Sequence, residues 1–251
     1  MIRRLPLLFS LSLLLALPAS AQLSYGGRPM GASAAKLSVQ HPPAVAMPSF
    51  DVAAVRAADD ARMINKTGPW YFGHNFATDI NLTNNGIWEI LPNGDHLWRV
   101  AIRSKGAFGI NFEFHEYEIP DGGKVFVYTP DMGTVLGAFD QRNRVEENGK
   151  GILGVQSLPG EEIIIEYIEP ASKLGQGVLR VGQVTHAYRD IWSWLKGLGD
   201  SGPCNINVIC PLGSPYVDDI SSVAIITTGG SGFSTGTDLN NSAQHPLSLI
   251  H

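Results

Sequence analysis

Short runs of β-branched and aromatic residues, separated by turn signals, are the feature that most constrains how this chain folds. The runs are LWRVAIRS (97–104), INFEF (110–114), KVFVYT (124–129), EIIIEY (162–167) and VLRVGQVTHAY (178–188). The turn signals are Asn93-Gly94, Pro120-Asp121-Gly122-Gly123, Pro130-Asp131, Asn148-Gly149 and Pro159-Gly160. Such runs are typical of strands, and Gly, Pro and Asn supply the turns between them. The pattern predicts an all-β fold, an antiparallel β-sandwich of the jelly-roll type, over residues 67–190.

The first 21 residues have the three parts of a secretory signal peptide. Arg3 and Arg4 precede an apolar run from Leu5 to Leu17, and Ala19-Ser20-Ala21 follows. This order predicts cleavage between Ala21 and Gln22 by the secretion machinery. The apolar run is shorter than a typical membrane span, although an uncleaved anchor is the alternative. We therefore expect a secreted protein, extracellular or periplasmic, without a stable membrane anchor.

Residues 22–66 predict a low-complexity lead-in that contains one short helix. Residues 22–50 are rich in Gly, Ala, Ser and Pro, a composition typical of poorly ordered segments. The stretch SFDVAAVRAADDARMI (49–64) suits a helix with Ser49 as its N-cap. Val52, Val55 and Met63 lie roughly on one face, which predicts that the helix docks on the domain that follows.

Charge and composition exclude some classes of partner and offer little for metal binding. The formal net charge is −5, which does not favour a nucleic-acid surface. In the acidic stretch NFEFHEYE, strand alternation would place Glu113 and His115 on one face and Glu116 and Glu118 on the other. Two ligands per face fall short of a metal site, so we expect neither a metal nor another cofactor.

Other candidate residues each have two interpretations. His74, His96 and His186 occur singly, as structural histidines do. The aromatic residues near the start of the sandwich either line a glycan-binding face or belong to the core, and these are Trp70, Tyr71, Phe72, Trp88 and Trp98.

Residues 191–203 predict a linker. Its Gly199-Asp200-Ser201-Gly202-Pro203 matches the sequence around the nucleophile of trypsin-like proteases. A nucleophilic Ser201 would need a His base and an Asp held in the same barrel, and the upstream sequence predicts a different sandwich. A flexible Gly/Ser linker is the simpler interpretation.

The chain has two cysteines, Cys204 and Cys210, and both follow this linker. A secreted protein normally pairs its thiols. Five intervening residues allow a tight mutual bridge, and the alternative is that each has a partner elsewhere in a longer sequence.

The stretch from Cys204 to Pro211, CNINVICP, resembles the start of the mature enzyme in secreted bacterial lysyl endopeptidases, which are trypsin-like serine proteases. Asn207 stands where that family has an acid. The segment STGTDLNN (234–241) resembles a later family motif, with Ser234 in place of a Cys and Asp238 in place of an apolar residue. The strand and turn sequences of residues 97–190 also resemble the pro-domain of such precursors, so the resemblance covers most of the chain from Met47 onward.

The resemblance implies a truncated pre-pro-protease, in which residues 204–251 are an incomplete N-terminal part of the protease domain. No residue matches the catalytic His, Asp or Ser of the family, so we expect this chain to be inactive as a hydrolase. The family is lysine-specific, which makes Lys196-Gly197 the candidate maturation bond; the alternative is that Lys196 only ends a short helix. The family's equivalents of Cys204 and Cys210 pair with cysteines further along the barrel. The expected partner is the cognate protease domain, which the pro-domain would help to fold and keep inactive.

Two other functions stay open from the sequence. One is a secreted β-sandwich module that binds a glycan or a protein. The other is a stand-alone protease inhibitor derived from a pro-domain.

Overall fold

The chain folds mostly into β-strands, with one α-helix among the described residues, so the all-β prediction is confirmed. The computed structural model describes residues 24–65, 67–191, 211–216, 223–228, 231–240 and 246–250. The helix is α1 (Val52–Asn65). The strands are β1 (Ala44–Ala46), β2 (Trp70–Tyr71), β3 (Gly73–Asn81), β4 (Ile87–Ile90), β5 (His96–Arg103), β6 (Gly109–Glu118), β7 (Lys124–Tyr128), β8 (Val135–Phe139), β9 (Val145–Glu147), β10 (Lys150–Pro159), β11 (Glu162–Glu169), β12 (Val178–Ala187), β13 (Val223–Thr228), β14 (Ser231–Asn240) and β15 (Pro246–Ile250).

Two sheets form the main domain. Sheet one has the order β5-β11-β7-β8, and both β1 and β4 pair with β5. Sheet two has the order β3-β12-β6-β10-β9. All pairings in these two sheets are antiparallel except the one between β1 and β5, which is parallel. Strands that follow each other in sequence often lie in different sheets, so the chain repeatedly crosses from one sheet to the other.

The predicted turn signals lie between strands, except that Pro159 is the last residue of β10. Gly94, Gly122, Asn148, Gly149 and Gly160 have positive φ values of 87°, 83°, 51°, 77° and 101°. Glycine and asparagine adopt this left-handed region more readily than other residues, which explains why these residue types occupy the turns. The five predicted strand runs correspond to β5, β6, β7, β11 and β12. The runs that the sequence analysis missed, such as β3 and β10, contain more small and polar residues.

The core lies between the two sheets. Large apolar side chains from alternate positions of each strand meet there, and burying this surface is the main stabilising contribution. Sheet one contributes Trp98, Val100, Ile102, Val125, Val127, Ile163, Ile165 and Tyr167, and sheet two contributes Ile110, Phe112, Phe114, Leu153, Val155, Val181 and Val184.

Sheet one is also apolar on its other face. A second buried cluster consists of Ala101, Phe126, Tyr128, Ala138 and Ile164. Its central strands therefore have apolar residues on both sides, so the outer face needs a cover of its own. The cover is the segment of residues 24–47, which we call the strap.

The strap crosses the outer face of sheet one from edge to edge. At the β8 edge, the amide of Tyr25 donates to the carbonyl of Ala138, and the amide of Ala138 donates to Gly26, each at 3.0 Å. At the opposite edge the strap forms β1, which pairs with β5, and the amide of Met47 donates to the carbonyl of Arg103 at 2.8 Å. The expectation of a poorly ordered lead-in is therefore wrong for this segment. Its small residues do not prevent order, because they allow its backbone to lie close to the sheet.

Helix α1 is present, but its start and its docking face differ from the prediction. Asp51, not Ser49, caps it, since the Asp51 carboxylate accepts from the amide of Ala54 at 2.9 Å. The helix docks on the domain as expected, with Val52 and Val55 half-buried, but Met63 is 46% exposed and lies outside the docking face. The helix instead buries Asp59, which accepts a hydrogen bond from the hydroxyl of Tyr188.

The remaining strands form a third sheet with the order β13-β14-β15, and the short strand β2 pairs with β14. Strand β13 has the apolar sequence VAIITT. Within the part of the chain that the structure describes, no helix has the length and apolar character needed to cross a membrane.

We expect Gly31→Ala to destabilise the domain, because the strap leaves no room for a side chain there. A Cβ at Gly31 would lie 2.1 Å from the hydroxyl oxygen of the buried Tyr128. Such overpacking costs about 2 kcal/mol of unfolding free energy, which urea denaturation would measure. Gly68→Ala is the matched control, since a Cβ there meets nothing within 4 Å. Equal stability of the two variants would contradict the strap's close packing.

Candidate functional site

Six residues of the expected processing and disulfide sites lie outside the described residues. They are Ala21, Gln22, Lys196, Gly197, Cys204 and Cys210. The proposed cleavage bonds and the pairing of the two thiols therefore stay predictions.

The acidic stretch of β6 does not alternate as expected. The pairing of β6 with β12 is irregular between Phe114 and Tyr117, so two residues separate these successive core side chains. As a result Glu113, His115, Glu116 and Glu118 all point away from the core, with 31–45% of each side chain exposed. The prediction of two opposite faces is wrong because strict alternation does not hold through this irregularity.

These acidic side chains form ion pairs. Glu116 lies 2.8 Å from the ammonium of Lys150, and this hydrogen bond is the main reason that the pKa of Glu116 is lowered. Glu118 lies 2.8 Å from the guanidinium of Arg144. Among the described residues, no group of three or more His, Cys, Asp or Glu side chains converges as a metal would require. The arrangement is that of a solvated sheet face.

The aromatic residues do not form one exposed platform. Trp98 and Phe72 are 1% and 2% exposed, and the indole of Trp98 donates to the carbonyl of Asn85 at 2.9 Å. Trp88 lies at the edge of sheet one beside Tyr167, with ring centroids 6.1 Å apart. Of the two interpretations given to this set, the structure supports the core for Trp98 and Phe72.

His186 and His74 face each other across β12 and β3. The ring of Phe50 stacks on His74 at 4.4 Å and meets His186 edge-on at 4.9 Å. His96 is separate from this group and lies near Trp88, with ring centroids 6.2 Å apart. The three histidines therefore belong to the packing of the sandwich.

Ser104 and His186 form a buried pair, since the hydroxyl oxygen lies 2.7 Å from Nδ1 of the imidazole. Both residues are only 2% exposed, and Nε2 of His186 has no hydrogen-bond partner within the part of the chain that the structure describes. Burial, and then the charge of His74, lower the pKa of His186, while Glu161 acts in the opposite direction. A nucleophilic serine needs an accessible substrate position and an acid that orients the base. Ser104 has neither among the described residues, and its burial with His186 indicates a role in packing.

The polar groups with the most specific geometry lie under the strap, where the sequence analysis did not look. Glu166 is fully buried in β11, on the outer face of sheet one. Its carboxylate accepts from the amides of Met30 and Gly31 at 2.6 and 2.9 Å, and from the hydroxyl of Tyr128 at 3.0 Å. Burial raises the pKa of Glu166, and these three hydrogen bonds and Arg99 act in the opposite direction.

A second contact fixes the strap nine residues further along. Arg99 is 1% exposed, and its guanidinium donates to the carboxylate of Glu89 at 2.7 Å and to the backbone carbonyl of Val39. The other oxygen of Glu89 accepts from the amide of Val39 at 3.0 Å. Arg99 and Glu89 thus satisfy both backbone groups of one strap residue.

Together we call Glu166, Tyr128, Arg99 and Glu89 the strap clamp. Its partners are mainly backbone groups of the strap, among them the first two residues of a 3-10 helical turn, so the clamp holds a segment of chain in place. One signal in the sequence could have revealed it. EIIIEYIE has no apolar–polar alternation, which is typical of a strand that is buried on both faces, and Glu166 lies in its middle.

Two comparisons of this chain with known proteins gave no match. No protein-family model matches it. No solved structure matches it either.

We expect Glu166→Gln to loosen the strap. An amide presents one acceptor oxygen where the carboxylate presents two, so at least one buried donor of Met30, Gly31 or Tyr128 loses its partner. Such a loss costs about 2 kcal/mol of unfolding free energy. Urea denaturation would measure it, and faster hydrogen exchange at the amides of Met30 and Gly31 would localise it. Glu113→Gln, on the exposed face, is the control. A Glu166→Gln protein as stable as this control would contradict the view that Glu166 holds the strap in place.

We expect stability to fall with acid because of His186. Its pKa in the folded state is lowered, so as the pH falls the unfolded state takes up the proton first. The contribution of the neutral, buried His186 to the free energy of unfolding is therefore present above the ordinary imidazole pKa of 6.5 and is lost as the pH falls below it. Chemical denaturation between about pH 7 and 5 should show a shallower decline for His186→Gln than for the wild type.

Ser104→Ala is the control for this measurement, because it keeps the imidazole and removes only the hydroxyl. It should retain the steeper decline. Identical pH profiles for the wild type and His186→Gln would show that this histidine does not govern the acid sensitivity.

Proposed function

We propose that residues 24–190 are the pro-domain of a secreted, trypsin-like serine endopeptidase precursor with lysine preference. Residues 204–251 then belong to the start of the protease domain, and residues 191–203 connect the two. The pro-domain assists the folding of the protease and keeps it inactive until maturation.

One observation carries the proposal: a folded sandwich precedes the CNINVICP stretch in the sequence, with residues 191–203 between them. Its core is closed between its own two sheets, and its own strap covers the outer face of sheet one. Within the described residues, the serine and histidine that touch are buried and lack an acid. A non-catalytic folded unit is what a pro-domain requires.

The strand order supports the jelly-roll class for this unit. The eight long strands, in sequence order, are β3, β5, β6, β7, β8, β10, β11 and β12. The first pairs with the last, the second with the seventh, the third with the sixth, and the fourth with the fifth. This nested pairing is the arrangement expected when one long hairpin is wrapped into two sheets, as in a jelly roll.

For the proposal that residues 204–251 begin the protease domain, the structural support is limited to one strand pair. β13 and β14 form an antiparallel pair, as the first strands of a protease barrel would. The assignment to a trypsin-like domain rests on the resemblance of residues 204–211 and 234–241.

The two alternatives differ in how well the structure supports them. A glycan-binding module would need exposed aromatic rings that act together, and Trp98 and Phe72 are instead in the core. A stand-alone inhibitor would use the same protease-facing surface as a pro-domain. It differs only in acting on a separate enzyme.

We expect a lysine-specific trypsin-like endopeptidase to cut the secreted chain at Lys196-Gly197. Sequencing of the released N-terminus should give Gly197, and the fragment that ends at Lys196 should persist. Of the six other lysines, Lys124 and Lys150 begin strands β7 and β10, whose hydrogen bonds slow cleavage. The freed sandwich should also co-elute with the active-site-blocked enzyme, which a mere substrate fragment would not do.

Lys196→Gln is the control, and it should abolish the Gly197 terminus without changing the fold. An intact Lys196-Gly197 bond in chains that are cut at other lysines would overturn the maturation site. Cleavage there without co-elution would overturn the pro-domain assignment.

A further inference from the structure

A compact polar cluster holds α1 against the end of the sandwich. The carboxylate of Asp59 is 2% exposed; it accepts from the Tyr188 hydroxyl and pairs with Arg62 of the same helix. A buried carboxylate of α1 thus contacts Tyr188, the residue that follows β12. Burying a carboxylate costs free energy unless it is paired. The position of Asp59 therefore depends on its contacts with Tyr188 and Arg62.

The same cluster fixes the short strand β2. The guanidinium of Arg189 donates to the backbone carbonyl of Tyr71 at 3.0 Å and pairs with Asp60 of α1 at 2.6 Å. The guanidinium of Arg62 lies over the Tyr71 ring, 4.8 Å from its centroid. Two arginines and the helix therefore set the position and orientation of a strand of only two residues.

Among the described strands, β2 pairs with β14 and with none of the sandwich. The register places Tyr71 opposite Ser231 and Trp70 opposite Gly232, in antiparallel orientation. Ser231 and Gly232 begin β14, just after the connection from β13, and Ser231 is also the partner of Thr228 in β13. At this point β14 therefore has β13 and β2 as its two neighbours.

We propose that β2 is a docking strand through which the sandwich holds the β13–β14 hairpin by strand addition. The partner is thus the hairpin at the start of the C-terminal region. This inference rests on the proposed function for its meaning: it names the surface with which the pro-domain contacts the nascent protease domain.

The physical reason is that an isolated two-stranded hairpin is marginally stable in water. A third strand, held in place beforehand, supplies backbone hydrogen bonds without the full entropy cost of ordering both partners. The contacts of Asp59, Arg62 and Arg189 hold β2 in position before the hairpin pairs with it. Ser231 and Gly232, the first residues of β14, are the part of the hairpin that β2 would order first.

Disulfide trapping in the full chain tests this docking. In a Cys204→Ser/Cys210→Ser background, Tyr71→Cys with Ser231→Cys places two thiols on directly opposed residues, within the range of a disulfide. Trp70→Cys with Gly232→Cys is an independent second pair. The control is Tyr71→Cys with Thr235→Cys, since Thr235 lies four residues, or roughly 13 Å, further along β14.

We expect both aligned pairs to cross-link in most chains under mild oxidation, and the control pair not to. Peptide mass spectrometry would identify the linked residues. Arg189→Ala should slow cross-linking of the aligned pairs about tenfold, because it removes a charged hydrogen bond that positions β2. Arg103→Ala, which removes an exposed ion pair with Glu162, should leave the rate unchanged.

Absence of cross-linking in both aligned pairs, in protein with a native circular dichroism spectrum, would overturn the docking strand. So would equal cross-linking of the control pair, which would indicate a mobile hairpin. These outcomes are independent of the proposed function, whose failure is seen separately as a lack of association between the freed sandwich and a lysine-specific protease.

Discussion

The double-sided burial of sheet one is the constraint on which the rest of the structure depends. Its central strand β11 has buried residues at most positions, with Ile163 and Ile165 toward sheet two and Ile164 and Glu166 toward the outside. A sheet with two apolar faces cannot leave one of them in water. Sheet two covers one face and the strap covers the other, so the strap is part of the fold and not an appendage.

The polar contacts follow from that constraint. A segment that lies across a sheet without pairing along it leaves its amides and carbonyls without strand partners, and buried backbone groups need partners. Glu166 satisfies the amides of Met30 and Gly31, while Arg99 and Glu89 satisfy Val39. The same device, a charged side chain that holds backbone, recurs where Arg189 positions Tyr71 beside the C-terminal hairpin. The sandwich thus has a closed interior and one strand presented toward the region that we propose is the protease.

Local sequence signals predicted much of the fold, because strands and tight turns depend on nearby residues. LWRVAIRS and KVFVYT are strands, and Asn148-Gly149 and Pro159-Gly160 are turns. The strap could not be predicted in the same way, since its order comes from contacts more than 100 residues away, such as Met30 with Glu166. The irregularity in β6 was missed for a related reason: the pairing with β12 sets it, and the spacing of Glu113, His115, Glu116 and Glu118 alone does not reveal it. The Ser104–His186 pair likewise joins two residues that lie 82 positions apart in the sequence.

The most direct test of the pro-domain function is the refolding of a denatured, secreted lysine-specific trypsin-like protease in the presence of this protein. The yield of active sites and the peptidase activity would be followed with and without an equimolar amount of the intact chain. The account predicts that the chain raises the yield of folded protease and inhibits its activity while bound. Refolding yield and activity that are the same in both samples would contradict it.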